Sequence, residues 1–182
     1  LESAAELSPE DITPILDEFA TETTAPWNVL AITFTNKAAN EIKSRLTSMF
    51  DSPDIAADIW AGTFHSICMR MIRKYAERIG YTGQVTIYDT DDQKKALAKA
   101  MKSANVDDKQ FPLKTVAGVI SRAKEKLLTP EAYALEAGGG YREREYAKVY
   151  AEYQKSLKSS NAMDFDDIIM QTVILLREND DV

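Results

Sequence analysis

Two short stretches of the sequence place an aromatic ring among hydrogen-bond donors directly after an apolar run. They are residues 33–37, Thr-Phe-Thr-Asn-Lys, and residues 63–65, Thr-Phe-His. Hydroxyl, amide and ammonium groups suit phosphate oxygens, and an exposed phenylalanine ring is a platform for stacked bases. The alternative is structural, because Thr and Asn also cap helices and Phe rings also fill cores. The repetition at two similar junctions leaves both interpretations open.

Each stretch lies between a predicted strand and a predicted helix. The runs NVLAITF (28–34) and DIWAGTF (58–64) are continuously apolar, which is typical of strands covered on both faces of a parallel sheet. In the helix predicted between them, residue spacing places four apolar side chains on one face: Ala38, Ile42, Leu46 and Met49. Ligands of such sheets bind beyond the carboxyl ends of the strands, where helix N-termini offer free N–H groups. Further strands of this sheet are expected outside the 182 residues.

The sequence after the second strand is typical of helices. Residues 65–80 are predicted to form a helix that ends at Gly80. Further helices are predicted over residues 89–104, up to Leu128, from Pro130, after the Gly138–Gly140 break and after residue 164. One helix carries a predicted core stripe of Tyr146, Val149, Tyr150, Tyr153 and Leu157. A short helix is also predicted over 8–20. The fold class is therefore an α/β fragment, a partial parallel sheet, with a mostly α-helical lobe, predominantly helical overall.

Composition bounds the function only loosely. Hydrophobic residues make up 45% and charged residues 28% of the chain, as in globular proteins. The net charge of −7 argues mildly against nucleic-acid binding, although a local surface can oppose the total. Cys68 is the single cysteine, which fits a reducing, cytoplasmic location. No apolar run is long enough for a membrane span, so no membrane partner is expected.

Three other groups have chemical potential but a simpler structural explanation. His65 is the sole histidine, and a hydrogen-bonding role is favoured over metal binding. Cys68 is expected to be a buried, inert thiol. Asp164, Asp166 and Asp167 lack the glycine and glutamate of a calcium loop, so they are predicted to complement the dipole of a helix N-terminus. No metal site is predicted.

Five stretches, in order, carry a family resemblance. The segment LAITFTNKAANEIKSRL (30–46) resembles motif Ia of the UvrD/PcrA/Rep group of superfamily 1 DNA helicases, and AGTFHSICMRMIRKY (61–75) resembles the next motif. The stretches TIYDTDDQ, AKEKLLTPEAYA and NAMDFDDIIMQ resemble later parts of the same group. The resemblance covers residues 28–176, whereas residues 1–26 form an acidic segment or linker without a recognised counterpart.

The resemblance implies part of a P-loop, RecA-like motor domain (subdomain 1A) at residues 27–63 and the inserted helical subdomain 1B at residues 64–182. The family's ATP site needs the loop G-x-x-x-x-G-K-[ST] and a later acidic pair. The loop does not occur in the 182 residues, and the acidic pair is expected beyond residue 182. The parent protein is therefore expected to use ATP and Mg²⁺, whereas this chain alone is expected to bind neither and to be inactive.

The family's site residues transfer to matching positions. A single-stranded DNA track is implied for Phe34, Thr35, Asn36, Lys37, Thr63, Phe64 and His65. Contact with duplex DNA is implied for a basic stretch of Lys114, Arg122, Lys124 and Lys126, although a solvated helix face explains those charges equally well. Arg45 occupies the position of a family arginine that approaches the nucleotide.

The implied parent is an ATP-dependent helicase that translocates 3′→5′ on single-stranded DNA in repair or plasmid replication. Its expected partners are single-stranded and fork duplex DNA, the remaining parts of the same helicase, and repair or replication proteins. One alternative is the motor part of a RecB/AddA-type helicase–nuclease, which shares these motifs. The other is a non-enzymatic lobe that binds a protein partner.

Overall fold

A computed structural model describes residues 24–50 and 53–182. These residues fall into two compact units, one ending at Thr63 and the other beginning at Phe64. The helix predicted over residues 8–20 lies outside the described ranges. Among the described residues, none of the helices combines the length and apolarity needed to cross a membrane.

The first unit is a two-stranded parallel sheet with two helices. A short 3₁₀ helix, Pro26–Asn28, leads into strand β1 (Leu30–Thr33), helix α1 (Asn36–Met49), helix α2 (Pro53–Asp58) and strand β2 (Trp60–Thr63). The register pairs Leu30 with Trp60 and Thr33 with Thr63, so both strands end at the same level. The predicted parallel pairing is confirmed, whereas α2 was not predicted. Assignment to a RecA-like domain stays a prediction.

The prediction that β1 is covered on both faces is wrong for the described residues. Leu30 is 50% and Ile32 is 37% exposed, and these two residues share one face of β1, so that face is not covered by the described residues. Strand β2 is better covered, with Ala61 and Gly62 buried. The sheet therefore presents apolar surface along β1.

Helix α1 places most of its predicted apolar face inward. Ala38, Ile42 and Leu46 are partly buried, and Ala39 is buried beside them. Met49, predicted on this face, is 75% exposed because it is the last residue of the helix. The 3.6-residue period thus located the face but not its end.

The second unit is helical. Its helices are α3 (Phe64–Tyr75), α4 (Thr90–Ser103), α5 (Leu113–Glu125), α6 (Pro130–Glu136), α7 (Tyr141–Ser159) and α8 (Phe165–Glu178). The predicted helices after residue 63 are confirmed, including the stop at Gly80, which adopts a left-handed conformation after a 3₁₀ turn. Two short strands, β3 (Thr86–Ile87) and β4 (Ala162–Met163), pair in parallel and were not predicted.

Helix α7 supplies the centre of the core. The predicted stripe is confirmed, since all five of its side chains are buried: Tyr146, Val149, Tyr150, Tyr153 and Leu157. Phe111 packs edge-on against Tyr146, with ring centroids 5.5 Å apart. The predicted glycine break before this helix is also confirmed, because Gly138 and Gly139 have φ values of 70° and 78°.

A second apolar cluster joins α3 to α8. Ile72, Tyr81, Met163 and Ile168 are buried together, and Cys68 packs against them only partly buried. The thiol is therefore less enclosed than predicted. This cluster fixes the N-terminal end of α8 relative to α3, where several candidate site residues lie.

Candidate nucleic-acid interface

The junction after β1 presents an exposed aromatic ring. Phe34 directly follows the strand and is 87% exposed. The hydroxyl of Thr35 accepts a hydrogen bond from the N–H of Ala38 at 3.2 Å and so caps α1. The structural alternative is therefore right for Thr35, whereas it is wrong for Phe34, which does not fill a core. An exposed ring beside a helix N-terminus can stack a base while free N–H groups face a phosphate.

The polar residues beside Phe34 open a helix with a positive balance. Asn36 and Lys37, in the first turn of α1, are both exposed. The helix contains three basic residues and one acidic residue, although the whole chain carries a net charge of −7. The local positive charge of this helix therefore favours phosphate binding, although the net charge of the whole chain is negative.

The junction after β2 repeats this arrangement. Thr63 is the last, partly buried residue of β2, and Phe64 is the first residue of α3 and 42% exposed. Helix α3 contains three basic residues and no acidic ones: Arg70, Arg73 and Lys74. All three are exposed. The charge of this helix was missed in the sequence, although a count of charges along the predicted helix would have revealed it.

His65 forms an aromatic pair with Phe165. The two ring centroids lie 5.8 Å apart with an angle of 66° between the planes, which is an edge-on arrangement. His65 is exposed, and Phe165, the first residue of α8, is 50% exposed. Phe165 was not among the predicted site residues. Its signal in the sequence is a phenylalanine between two aspartates at a predicted helix start, within a stretch that the family resemblance includes.

Lys124 corrects one sequence prediction. It is 1% exposed and therefore does not belong to a solvent-facing basic stretch. Its Nζ atom lies 2.7 Å from Oδ2 of Asp164 and 2.8 Å from Oδ1 of Asp167. The error arose because charge in the sequence was taken to mean exposure, whereas two buried carboxylates compensate this ammonium group.

Asp164 and Asp167 act in the structure as helix-capping residues. The Oδ1 of Asp164 accepts the N–H of Asp167 at 2.8 Å, and Oδ2 of Asp167 accepts the N–H of Asp164 at 3.2 Å. This reciprocal pair is a capping box, so the predicted role at the helix N-terminus is confirmed for both. Among the described residues, no group of three His, Cys, Asp or Glu side chains is placed to hold a metal ion.

Burial raises the pKa of two members of this cluster. It raises the pKa of Asp167 to about 6, and the Lys124 charge opposes that rise. Burial also raises the pKa of Tyr153, whose hydroxyl donates a hydrogen bond to Oδ2 of Asp164 at 2.9 Å. Gln154 completes the cluster, because its Nε2 donates to Oδ1 of Asp167 at 3.0 Å.

The other predicted basic residues are exposed. Lys114, Arg122 and Lys126 lie on or directly after α5 with exposed side chains, in the second unit. Arg45, the predicted nucleotide contact, lies on α1 and forms an exposed ion pair with Glu41 at 2.8 Å. These roles stay predictions.

Comparison with known proteins identifies the family to which this chain belongs. Residues 12–182 match the UvrD/REP helicase N-terminal domain, and the chain belongs to that family. The match includes residues 12–26, for which the sequence alone had indicated no counterpart. The resemblance to UvrD/PcrA/Rep-type helicases is thereby confirmed.

Among its relatives are proteins named ATP-dependent DNA helicase PcrA. The protein of Bacillus subtilis (strain 168) is 45% identical over 151 residues, which is 83% of this chain and 20% of the relative. Those of Leuconostoc citreum and Staphylococcus aureus (strain Mu50 / ATCC 700699) are 42% and 44% identical over 86% and 88% of this chain. The chain spans 20–21% of the length of these relatives.

Proposed function

We propose that this chain is part of a PcrA-type, ATP-dependent DNA helicase and supplies contacts to single-stranded DNA. The carrying observation is the ring of Phe34, 87% exposed at the capped start of a helix with a positive balance. Packing of the folded chain does not require an exposed phenylalanine ring at the end of a strand, whereas a DNA base offers that ring a stacking partner. Thr35, Asn36 and Lys37 would serve the adjoining phosphates.

The second unit adds its own contacts. His65 and Phe165 form an aromatic pair on α3 and α8, and Phe64 directly precedes His65 as the first residue of α3. The basic residues of α3 favour phosphate nearby. Thr63 precedes this group at the end of β2. Arg122 and Lys126, exposed on the helical unit, would contact duplex DNA at a fork. These residues divide the work between base stacking and phosphate contact.

ATP binding and hydrolysis, with Mg²⁺, belong in this proposal to the whole protein, with residues 27–63 in its motor domain 1A and 64–182 in subdomain 1B. Arg45 would approach the nucleotide there. The family implies 3′→5′ translocation in repair or plasmid replication. The three relatives are all named as helicases, which favours this function over that of a helicase–nuclease.

Fluorescence anisotropy of a labelled oligo-deoxythymidine strand tests the proposal. The 182-residue chain should bind this strand, and affinity should fall steeply with rising salt because phosphate contacts release counterions. Phe34→Ala should weaken binding about 5- to 100-fold, since one stacked base contributes about 1–3 kcal/mol. Leu135→Ala is the matched control, because Leu135 is equally exposed at 87%.

Two outcomes would contradict the proposal. If the chain does not bind the strand even at low salt, the helical unit is better explained as a surface for a protein partner. If Phe34→Ala and Leu135→Ala weaken binding equally, the ring after β1 has no specific role.

A further inference from the structure

The buried ion cluster lies directly behind an exposed aromatic residue. Lys124, at the end of α5, pairs with Asp164 and Asp167 at 2.7 and 2.8 Å, and all three side chains are at most 6% exposed. Phe165 lies between these two aspartates in the chain, as the first residue of α8. The backbone that carries the Phe165 ring is therefore held on both sides by carboxylates that share one ammonium group.

Stability alone gives a weak reason for this cluster. A buried ion pair loses hydration on both partners, and apolar residues of similar volume often stabilise a core equally well. Three polar groups, Lys124, Tyr153 and Gln154, nevertheless converge on the two carboxylates with hydrogen-bond distances. Convergent, directional contacts fix geometry more narrowly than apolar packing does.

The feature that this geometry fixes is the Phe165–His65 pair. The rings meet edge-on at 5.8 Å, and half of the Phe165 surface stays open. Without the Lys124 charge, the two buried carboxylates would lose their counter-charge, and their repulsion or the protonation of one of them would disturb the capping box. The first turn of α8 would then lose its fixed position, and Phe165 with it.

We propose that Lys124 is a positioning residue for single-stranded DNA, which holds the start of α8 so that the Phe165 ring stands beside His65 to stack a base. This inference rests on the proposed function, because it assigns a role to the single-stranded DNA contacts proposed for the second unit. Lys124 does not touch DNA, and its charge acts through the capping box alone.

A double-mutant cycle tests the coupling. Phe165→Ala should weaken oligo-deoxythymidine binding about 5- to 100-fold. Lys124→Met should weaken binding at least about 3-fold in the wild-type background and have almost no effect in the Phe165→Ala background, since residues that act through one hydrogen-bond and ion-pair network couple in this way. Leu176→Ala is the control for Phe165, because it is 45% exposed on the same helix.

Milder variants keep the test decisive if Lys124→Met does not fold. Tyr153→Phe removes the hydrogen bond from the tyrosine hydroxyl to Asp164. Asp164→Asn keeps a side chain that can cap the helix but removes one of the two negative charges that face Lys124. Both should weaken binding in the wild-type background and not in the Phe165→Ala background. Lys124→Arg, which retains the charge, should recover part of the affinity.

A spectroscopic measurement separates positioning from general stability. The chain contains one histidine, so its imidazole gives a single set of proton resonances when the protein carries no histidine tag. The ring current of Phe165 should shift those resonances, and Tyr153→Phe and Asp164→Asn should move them toward their position in Phe165→Ala.

The failure modes are distinct. If Phe165→Ala leaves affinity unchanged while Phe34→Ala weakens it, the proposed function stands and the inference is overturned. If the Lys124 and Asp164 variants weaken binding equally in both backgrounds, Lys124 acts by stability alone and the inference is again overturned. If none of the aromatic variants affects binding, the proposed function itself fails.

Discussion

The Nζ atom of Lys124 lies 2.8 Å from Oδ1 of Asp167, and both side chains are completely buried. The pair joins α5 to α8 across the core of the helical unit. An ion pair in this position depends on both partners, because either charge alone would be left without water or a counter-charge.

Removal of the buried ammonium group should strongly destabilise the chain. We expect Lys124→Met to lower the free energy of unfolding by about 3–5 kcal/mol, since two buried carboxylates lose their counter-charge. Urea unfolding followed by circular dichroism measures this change. Lys94→Met is the matched control, because Lys94 pairs with Asp91 while both side chains are more than half exposed. Its effect should stay below about 1 kcal/mol, and similar losses for both variants would contradict the prediction.

The titration of Asp167 should appear in the pH dependence of stability. Its pKa in the folded chain is raised to about 6 from the ordinary value of 3.8. Because the pKa of Asp167 is higher in the folded chain than in the unfolded chain, protonation of this group favours folding at pH values below the unfolded-state pKa. This contribution to stability is lost as the pH rises through the folded-state pKa. The stability of Asp167→Asn relative to wild type should therefore increase between pH 4 and 7, by at most about 1.4 kcal/mol per pH unit.

Urea unfolding of both proteins at several pH values in this window measures that difference. Groups that titrate in both proteins cancel when the two free energies are subtracted. A difference that stays constant across the window, or that falls as pH rises, would show that Lys124 rather than burial controls Asp167.

The exposed cations of the helical unit should affect duplex binding. We expect Arg122→Ala combined with Lys126→Ala to weaken binding to a duplex with a single-stranded tail and to reduce the salt slope by about 1–2. Lys102→Ala with Lys109→Ala is the matched control, because both lysines are exposed and the charge change is the same. Anisotropy at several salt concentrations measures both slopes. Equal slopes for the two double variants would assign Arg122 and Lys126 to a solvated helix face.

The purified chain should not hydrolyse ATP, with or without single-stranded DNA. Its 182 residues contain no G-x-x-x-x-G-K-[ST] loop, whose backbone N–H groups would hold the phosphates. Phosphate release in the presence of Mg²⁺ measures this. Turnover that copurifies with the chain and disappears in Arg45→Ala would contradict the prediction.

Local pattern predicted much of the fold. The helices after residue 63 and the buried stripe of α7 follow from apolar spacing, because a helix must bury one face. The Gly138–Gly140 break was predictable because glycine readily adopts a left-handed backbone, and Gly138 and Gly139 do adopt one. Strands β3 and β4 escaped prediction because two residues carry no period, and only their mutual pairing creates them.

For the site, the sequence by itself determined which residues follow the strands and that two Thr-Phe junctions open helices. Tertiary structure alone decided which aromatic rings stay exposed and which charges are buried. Phe34 remains on the surface, Phe165 pairs with His65, and Lys124 turns inward toward Asp164. The physical reason is that exposure and ion pairing depend on segments far apart in the chain, whereas helix periodicity and capping depend on near neighbours.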